Sequence, residues 1–149
     1  MSLNILITGS SGFLGEKLCE ILSKTKNIIT ALDIINPDKK FKEINYVVSS
    51  VNEYIDKNKE SLETFDLIIH AASVLPYKGN KNQLIETNIN TTKNLIKTVS
   101  NLKNTFFVYI SSSGVYGNPL EIPVSMRTEF NPLDLYAETK ITSENNLKK

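Results

Sequence analysis

Near its end the chain reads DLYAETKITSENNLKK, which sets Tyr136 and Lys140 four residues apart. On a helix, residues at that spacing share a face, with Cβ atoms about 5–6 Å apart. The ammonium of Lys140 can then stand beside the phenol of Tyr136. A free phenol has a pKa of about 10 and is a poor base at neutral pH. A positive charge roughly 5 Å away, at an effective dielectric of about 20, favours the phenolate by about 3 kcal/mol. That is on the order of two pKa units, so the pair reads as a phenol activated by an amine. The spacing alone is weak evidence, because any lysine-rich helix shows it by chance.

A second group of residues points to phosphate chemistry. ITGSSGFLGEKL spaces Gly9, Gly12 and Gly15 three apart between an apolar run and a helical pattern. One glycine of such a loop permits the tight turn, one lets backbone approach a pyrophosphate, and one lets the helix pack close to the strand. Free amides at the helix N-terminus, near Phe13 and Leu14, would face the phosphate oxygens. Asp33 follows Gly15 by 18 residues, against the roughly 20 expected for the acid that binds the adenosine ribose. A carboxylate there accepts from both ribose hydroxyls and repels a 2′-phosphate, which selects NAD over NADP. The competing reading of Asp33 is a surface aspartate opening a turn before Pro37.

The elements that would position these groups alternate along the chain. LNILITG, NIITALD, INYVVSS, DLIIHAAS and TFFVYISSS read as five strands, several of them continuously apolar, as in a sheet buried on both faces. Helical patterns cover about residues 12–24, 52–63 and 80–101, the last with Leu84, Ile85, Ile89, Leu95, Ile96 and Val99 on its inward side. The crossover at 34–43 contains Pro37 and is too short for a good helix. A proline-bearing loop follows the fifth strand, and the final helix is expected to start near Pro132 or Leu133. Alternation of this kind means an α/β fold: a Rossmann-type, doubly wound parallel sheet with right-handed crossovers.

Composition narrows the partners. The chain has 149 residues, 40% of them apolar, and a net charge of +1, enough for the core of one domain and too little charge to attract nucleic acid or a membrane surface. No apolar run approaches the ~20 residues needed to cross a bilayer, and the start lacks the form of a signal peptide. A cytoplasmic protein is expected. The one cysteine, Cys19, excludes disulfide scaffolds and cysteine-rich zinc sites and is expected to be buried packing. His70 is the one histidine, so no metal site is expected, and its role is structural or cofactor-lining.

Taken together, these segments resemble the extended short-chain dehydrogenase/reductases of the NAD-dependent nucleotide-sugar epimerase/dehydratase family. TGSSGFLG (Thr8, Gly9, Gly12, Gly15) resembles that family's TGxxGxxG. HAAS resembles its loop after the fourth strand, which implies cofactor contacts at His70, Ala71 and Ala72. NINTTKNLI resembles its NxxGTxNLL helix, loosely at residues 90–92. ISSSGVYG resembles the segment with its catalytic hydroxyl, and YAETK its YxxxK pair. The resemblance covers essentially all 149 residues in order. It implies Ser112, three before Val115, as the catalytic hydroxyl, with Ser111 and Ser113 structural. It implies Tyr136 as acid/base and Lys140 as the group that holds the nicotinamide ribose. Adenine contacts fall on Ser50 and Val51, where the family usually has an aspartate and an aliphatic residue.

The resemblance also bears on the reaction. Family members that dehydrate a sugar follow the catalytic residue with an Asp-Glu pair, and this chain has Ser113 and Gly114 there. Dehydration is therefore disfavoured, which leaves epimerisation through a keto sugar, or simple dehydrogenation or reduction, on a nucleotide-sugar. Intact relatives add one or two strands and a small substrate lobe, so residues 1–149 read as the cofactor half of such an enzyme. Without those strands the fifth strand is an open apolar edge, and self-association through residues 105–110 is expected. Two alternatives stay open: a non-catalytic dinucleotide-binding module, and an NADP-type ketone reductase of the dihydroflavonol or steroid kind.

Overall fold

A computed structural model describes residues 2–148. It has five strands, β1 (Asn4–Thr8), β2 (Ile28–Asp33), β3 (Ile44–Val48), β4 (Leu67–His70) and β5 (Phe106–Tyr109). All pairs are parallel, in the order β3-β2-β1-β4-β5. The helices are α1 (Phe13–Leu22), α2 (Val51–Asn58), α3 (Lys81–Leu84), α4 (Thr92–Val99) and α5 (Leu135–Leu147), with π winding over Ile85–Thr91 and 3₁₀ turns at Glu60–Thr64 and Ser113–Tyr116. This is a Rossmann-like parallel sheet with helices. The chain divides into two compact units, Met1–Ala72 with Asn94–Ile110 and Ser73–Lys93 with Ser111–Lys149.

The first unit holds the sheet. Side chains alternate between its faces, and each face has its own core. Leu6, Leu32 and Ile68 pack with Val51, Tyr54 and Ile55 of α2, Leu62 and Phe65, and Leu95 and Val99 of α4. Ile5, Ile7, Ile29, Ala31 and Ile69 pack with Cys19, Leu18 and Leu22 of α1. The central strands are buried almost throughout, whereas β3 at one edge is mostly uncovered and β5 at the other alternates. Burial pushes the Cys19 thiol up to about 11, which makes it an inert packing residue.

The inward face of the 81–99 helix and the start of the last helix differ from expectation. The α1 face that meets the sheet centres on Gly15 and Cys19, and Ile21 is 53% exposed. Leu18 and Leu22 flank this contact and are only partly buried against the same core. In the 81–99 helix, Leu84, Leu95 and Val99 are buried, while Ile85, Ile89 and Ile96 are only half-buried. Asn88, Thr91 and Thr92 complete the buried stripe, because the π turn widens the helix over these positions. The last helix begins at Leu135 rather than 132–133, since Asp134 caps it by accepting from Ala137 N at 2.7 Å.

The second unit is packed differently. Helix α5 buries Ala137, Thr139, Lys140 and Ser143, a face with no large apolar residue. Hydrogen bonds to Asn88, which is 1% exposed, take the place of apolar contact. Asn88 Nδ2 donates to Thr139 Oγ1 at 3.2 Å, and Ser143 Oγ donates to the Asn88 carbonyl at 2.6 Å. Each such buried bond is worth about 1 kcal/mol net, and more if one partner is left unpaired.

Candidate active site

The glycine turn belongs to the first unit. Gly9 adopts φ +72°, and a Cβ there would lie 2.5 Å from Ala72 N. A Cβ at Gly15 would lie 2.1 Å from the Gly9 carbonyl oxygen, so these two glycines are required by close backbone packing. Gly12 is different: it is exposed, and a Cβ there would meet only the Gly9 oxygen, at 3.3 Å. The first turn of α1, at Phe13 and Leu14, has no side-chain cap, so its amides remain available to an anion. Ser10 Oγ is buried beside them without a hydrogen-bond partner. An orphaned hydroxyl, uncapped amides and an open glycine in one turn fit a dinucleotide pyrophosphate.

Asp33 closes the other end of this cradle. Its Oδ2 accepts from Ser11 N at 2.9 Å and its Oδ1 from Ile35 N at 3.1 Å. Both bonds orient the carboxylate and leave each oxygen a further lone pair for a ribose hydroxyl. Ser50 caps α2 through a bond from Glu53 N at 3.2 Å, and Val51 is buried in the core with Tyr54 and Ile55. Ala71 N donates to the Thr8 carbonyl at 3.1 Å. The loop after β4 thereby lies against Gly9. His70 is fully buried, bonded to Thr8 Oγ1 at 2.6 Å and stacked with Phe107 and Tyr109. Of the two roles open to it, the structural one matches this placement.

Ser112, Tyr136 and Lys140 belong to the second unit. Ser112 Oγ accepts from Gly114 N at 3.1 Å and opens the 3₁₀ turn. A Cβ on Gly114 would lie 3.3 Å from Ser112 Oγ and 3.9 Å from Ala137 Cβ, so the 3₁₀ turn that Ser112 opens lies at Gly114 against the first turn of α5, which carries Tyr136. Lys140 Nζ lies 5.5 Å from the centroid of the Tyr136 ring, within cation–π range. Ser111 donates to Glu144 in a short hydrogen bond, which ties the segment before Ser112 to the helix.

The electrostatics correct the expected activation. Tyr136 is raised above its ordinary value, first by burial, with Asp134 and Tyr77 adding to the rise and a hydrogen bond with Ser73 opposing it. Burial lowers Lys140 to about 8. Coulomb attraction between phenolate and ammonium was expected to dominate, but removing both groups from water outweighs it.

Sequence reading missed Ser73 and Asn88 as site residues. Ser73 Oγ donates to Asn88 Oδ1 at 3.0 Å. A signal was present: Asn88 falls in register with Leu84, Thr92, Leu95 and Val99, a polar residue on a buried stripe. Among the described residues no group of three or more His, Cys, Asp or Glu could hold a metal ion. No helix among them is long and apolar enough to cross a membrane.

The chain is 32% identical over 158 residues to the uncharacterized UDP-glucose epimerase YtcB of Bacillus subtilis, covering 95% of this chain and 50% of that protein. It is 27% identical over 151 residues to a 3β-hydroxysteroid dehydrogenase/Δ5→4-isomerase of monkeypox virus, covering 93% and 43%. Among solved structures, the enzyme WbmG of Bordetella bronchiseptica, in complex with NAD and UDP, superposes with a TM-score of 0.86 at 21% identity, covering 99% of this chain and 50% of that one. The chain thus spans about half the length of these relatives, or less. The NAD dependent epimerase/dehydratase family matches over residues 5–149. The chain belongs to the NAD-dependent epimerase/dehydratase family.

Proposed function

We propose that this chain supplies the NAD-binding and catalytic side chains of a nucleotide-sugar epimerase, or of a related dehydrogenase or reductase. The observation that supports the reading most directly is the buried Lys140 beside the Tyr136 ring, on a helix whose first turn meets Gly114 in the turn that Ser112 opens. Reversible hydride acceptance at a sugar carbon is the chemistry that bound NAD supplies. The chain's own residues do the rest. Ser112 hydrogen-bonds the reacting oxygen, Tyr136 takes its proton or returns it, and Lys140 holds the nicotinamide ribose. The amides of the glycine turn and the Asp33 carboxylate hold the two ends of the adenosine diphosphate. Nucleotide-sugar chemistry is further supported by the UDP bound to WbmG. The viral steroid dehydrogenase favours a second reading, a ketone reductase; Asp33 opposes it if that reductase uses NADP.

Calorimetric titration with NAD and NADP tests the cofactor. NAD is expected to bind more tightly to the unmodified chain. Asp33→Ala removes charge-assisted bonds worth about 1.5–3 kcal/mol, so NAD affinity should fall roughly tenfold to a hundredfold while NADP loses far less. Tighter binding of NADP to the unmodified chain would overturn the assignment.

The proposed homomeric partner is a second copy through β5. This strand is a sheet edge, with Phe106 79% and Val108 43% exposed. An unpaired apolar edge is a template for pairing. Sedimentation should show concentration-dependent association that Phe106→Lys abolishes; a sharply monomeric profile at high concentration counts against it.

A further inference from the structure

Ser111 and Glu144 form a tie that the reaction itself does not use. Past Ile110, whose N–H closes the β4–β5 ladder on the His70 carbonyl at 3.0 Å, the chain enters the second unit. Its next residue, Ser111, donates to Oε1 of Glu144. Ser112 follows in extended backbone, at φ −146° and ψ 142°. Two residues later Gly114 lies against α5, where an added Cβ would come within 3.9 Å of the Ala137 Cβ. Ser112 therefore sits between two anchors on α5, one in its third turn and one in its first. Three residues of chain span at most about 10 Å, and the seven helical residues between the anchors rise about as far. The segment thus runs back along the helix with little slack. In extended chain neighbouring side chains point to opposite sides, so the direction of Ser111 fixes the direction of Ser112. Tyr136, Lys140 and Glu144 recur every four residues and share one face of α5.

We propose that Glu144 is a positioning residue of this site: by accepting the Ser111 hydroxyl it holds the Ser112 hydroxyl in register with Tyr136 and Lys140. The proposal rests on the catalytic reading of those three residues above. Glu144 touches no reacting atom and transfers no proton; it acts through Ser111. A hydrogen bond to a carboxylate is roughly twice as strong as one between neutral groups, which suits an anchor on a short segment. The other charged groups of α5 are engaged elsewhere or face away. Asp134 caps the helix by accepting from Ala137 N at 2.7 Å. Glu138 is exposed. Lys148, one turn beyond Glu144, lies 5.6 Å from the centroid of the Phe130 ring.

The test places a thiol at the catalytic hydroxyl, Ser112→Cys, and follows its alkylation by iodoacetamide against pH. Cys19 stays silent, because burial raises its thiol to about 11, and peptide mass spectrometry locates the label. An ordinary thiol titrates at about 8.5. Held in the site with the Lys140 ammonium, the introduced thiol should titrate about one pH unit lower. In that background Glu144→Ala and Ser111→Ala should each raise the midpoint again by about one unit. Glu144→Gln keeps an acceptor oxygen at the same length and should leave the midpoint low. The sign separates position from charge, because removing a carboxylate lowers a thiol midpoint when charge alone acts. Anything short of a rise in both alanine variants, or a rise in Glu144→Gln equal to that in Glu144→Ala, would overturn the proposal. Should Glu144→Ala fail to fold by circular dichroism, Ser111→Ala decides alone, with Ser111→Thr expected to hold the midpoint low. Lys140→Met in the same background separates the two levels. A midpoint indifferent to Lys140→Met sinks the catalytic reading and this proposal with it. A midpoint that Lys140→Met raises and neither alanine variant moves sinks this proposal alone.

Discussion

Gly15→Ala destabilises the chain by more than about 3 kcal/mol and abolishes dinucleotide binding with it. The added methyl would lie 2.1 Å from the Gly9 carbonyl oxygen and 2.7 Å from Ser10 Cα. Both obstacles are backbone, so no side-chain rotation relieves the overlap. Helix α1 has to move away from the strand, and the first atoms to lose their packing are those of Cys19, which is 1% exposed in the core beneath it. Urea unfolding of Gly15→Ala and Gly12→Ala, read beside NAD calorimetry, checks the claim. A Cβ at Gly12 meets a single atom at 3.3 Å, so Gly12→Ala should stay folded with little change in midpoint and lose affinity because the methyl projects where a phosphate would approach. Equal stability of the two variants would mean that the turn does not hold α1 against the sheet.

That contrast also marks how far the sequence could be read. The glycine turn was legible because its constraint is local: three glycines, a strand before them and a helix after them specify the same geometry. The central strands were legible because a strand covered on both faces must be apolar throughout, as LNILITG and DLIIHAAS are. Helix α5 was not legible by periodicity. Its buried positions are Ala137, Thr139, Lys140 and Ser143, and no hydrophobic stripe marks them; the end of the proline-bearing loop placed the helix, and the resemblance of YAETK to a known pair gave its residues their roles. The π turn was invisible too, since no local residue pattern in IETNINT marks it. The activation of Tyr136 was misread because the Coulomb attraction of Lys140 can be estimated from spacing alone, whereas the opposing desolvation depends on burial.

The burial of Lys140 gives the second large effect. An ordinary lysine titrates near 10.5, and in the folded chain burial lowers Lys140 to about 8. Below pH 8 the amine is charged in both the folded and the unfolded chain, and the fold bears the full cost of keeping an ammonium out of water. Between pH 8 and 10.5 the folded chain releases the proton while the unfolded chain still binds it, so stability rises with pH across that window. The full difference corresponds to about 3 kcal/mol. Lys140→Met, which keeps the length and removes the charge, should therefore be more stable than the unmodified chain at pH 7 by up to about 3 kcal/mol. The advantage should shrink steadily above pH 8 and vanish near pH 10.5. Urea unfolding of both chains at several pH values isolates Lys140, because the other titrating groups are common to the two and cancel in the difference. A variant no more stable at pH 7, or an advantage independent of pH, would show that the ammonium is not penalised where it lies. The same substitution should weaken NAD, since it removes the group assigned to the nicotinamide ribose. A residue that lowers stability in the free chain and raises affinity for the cofactor is what a site shaped by function, and not by folding alone, requires.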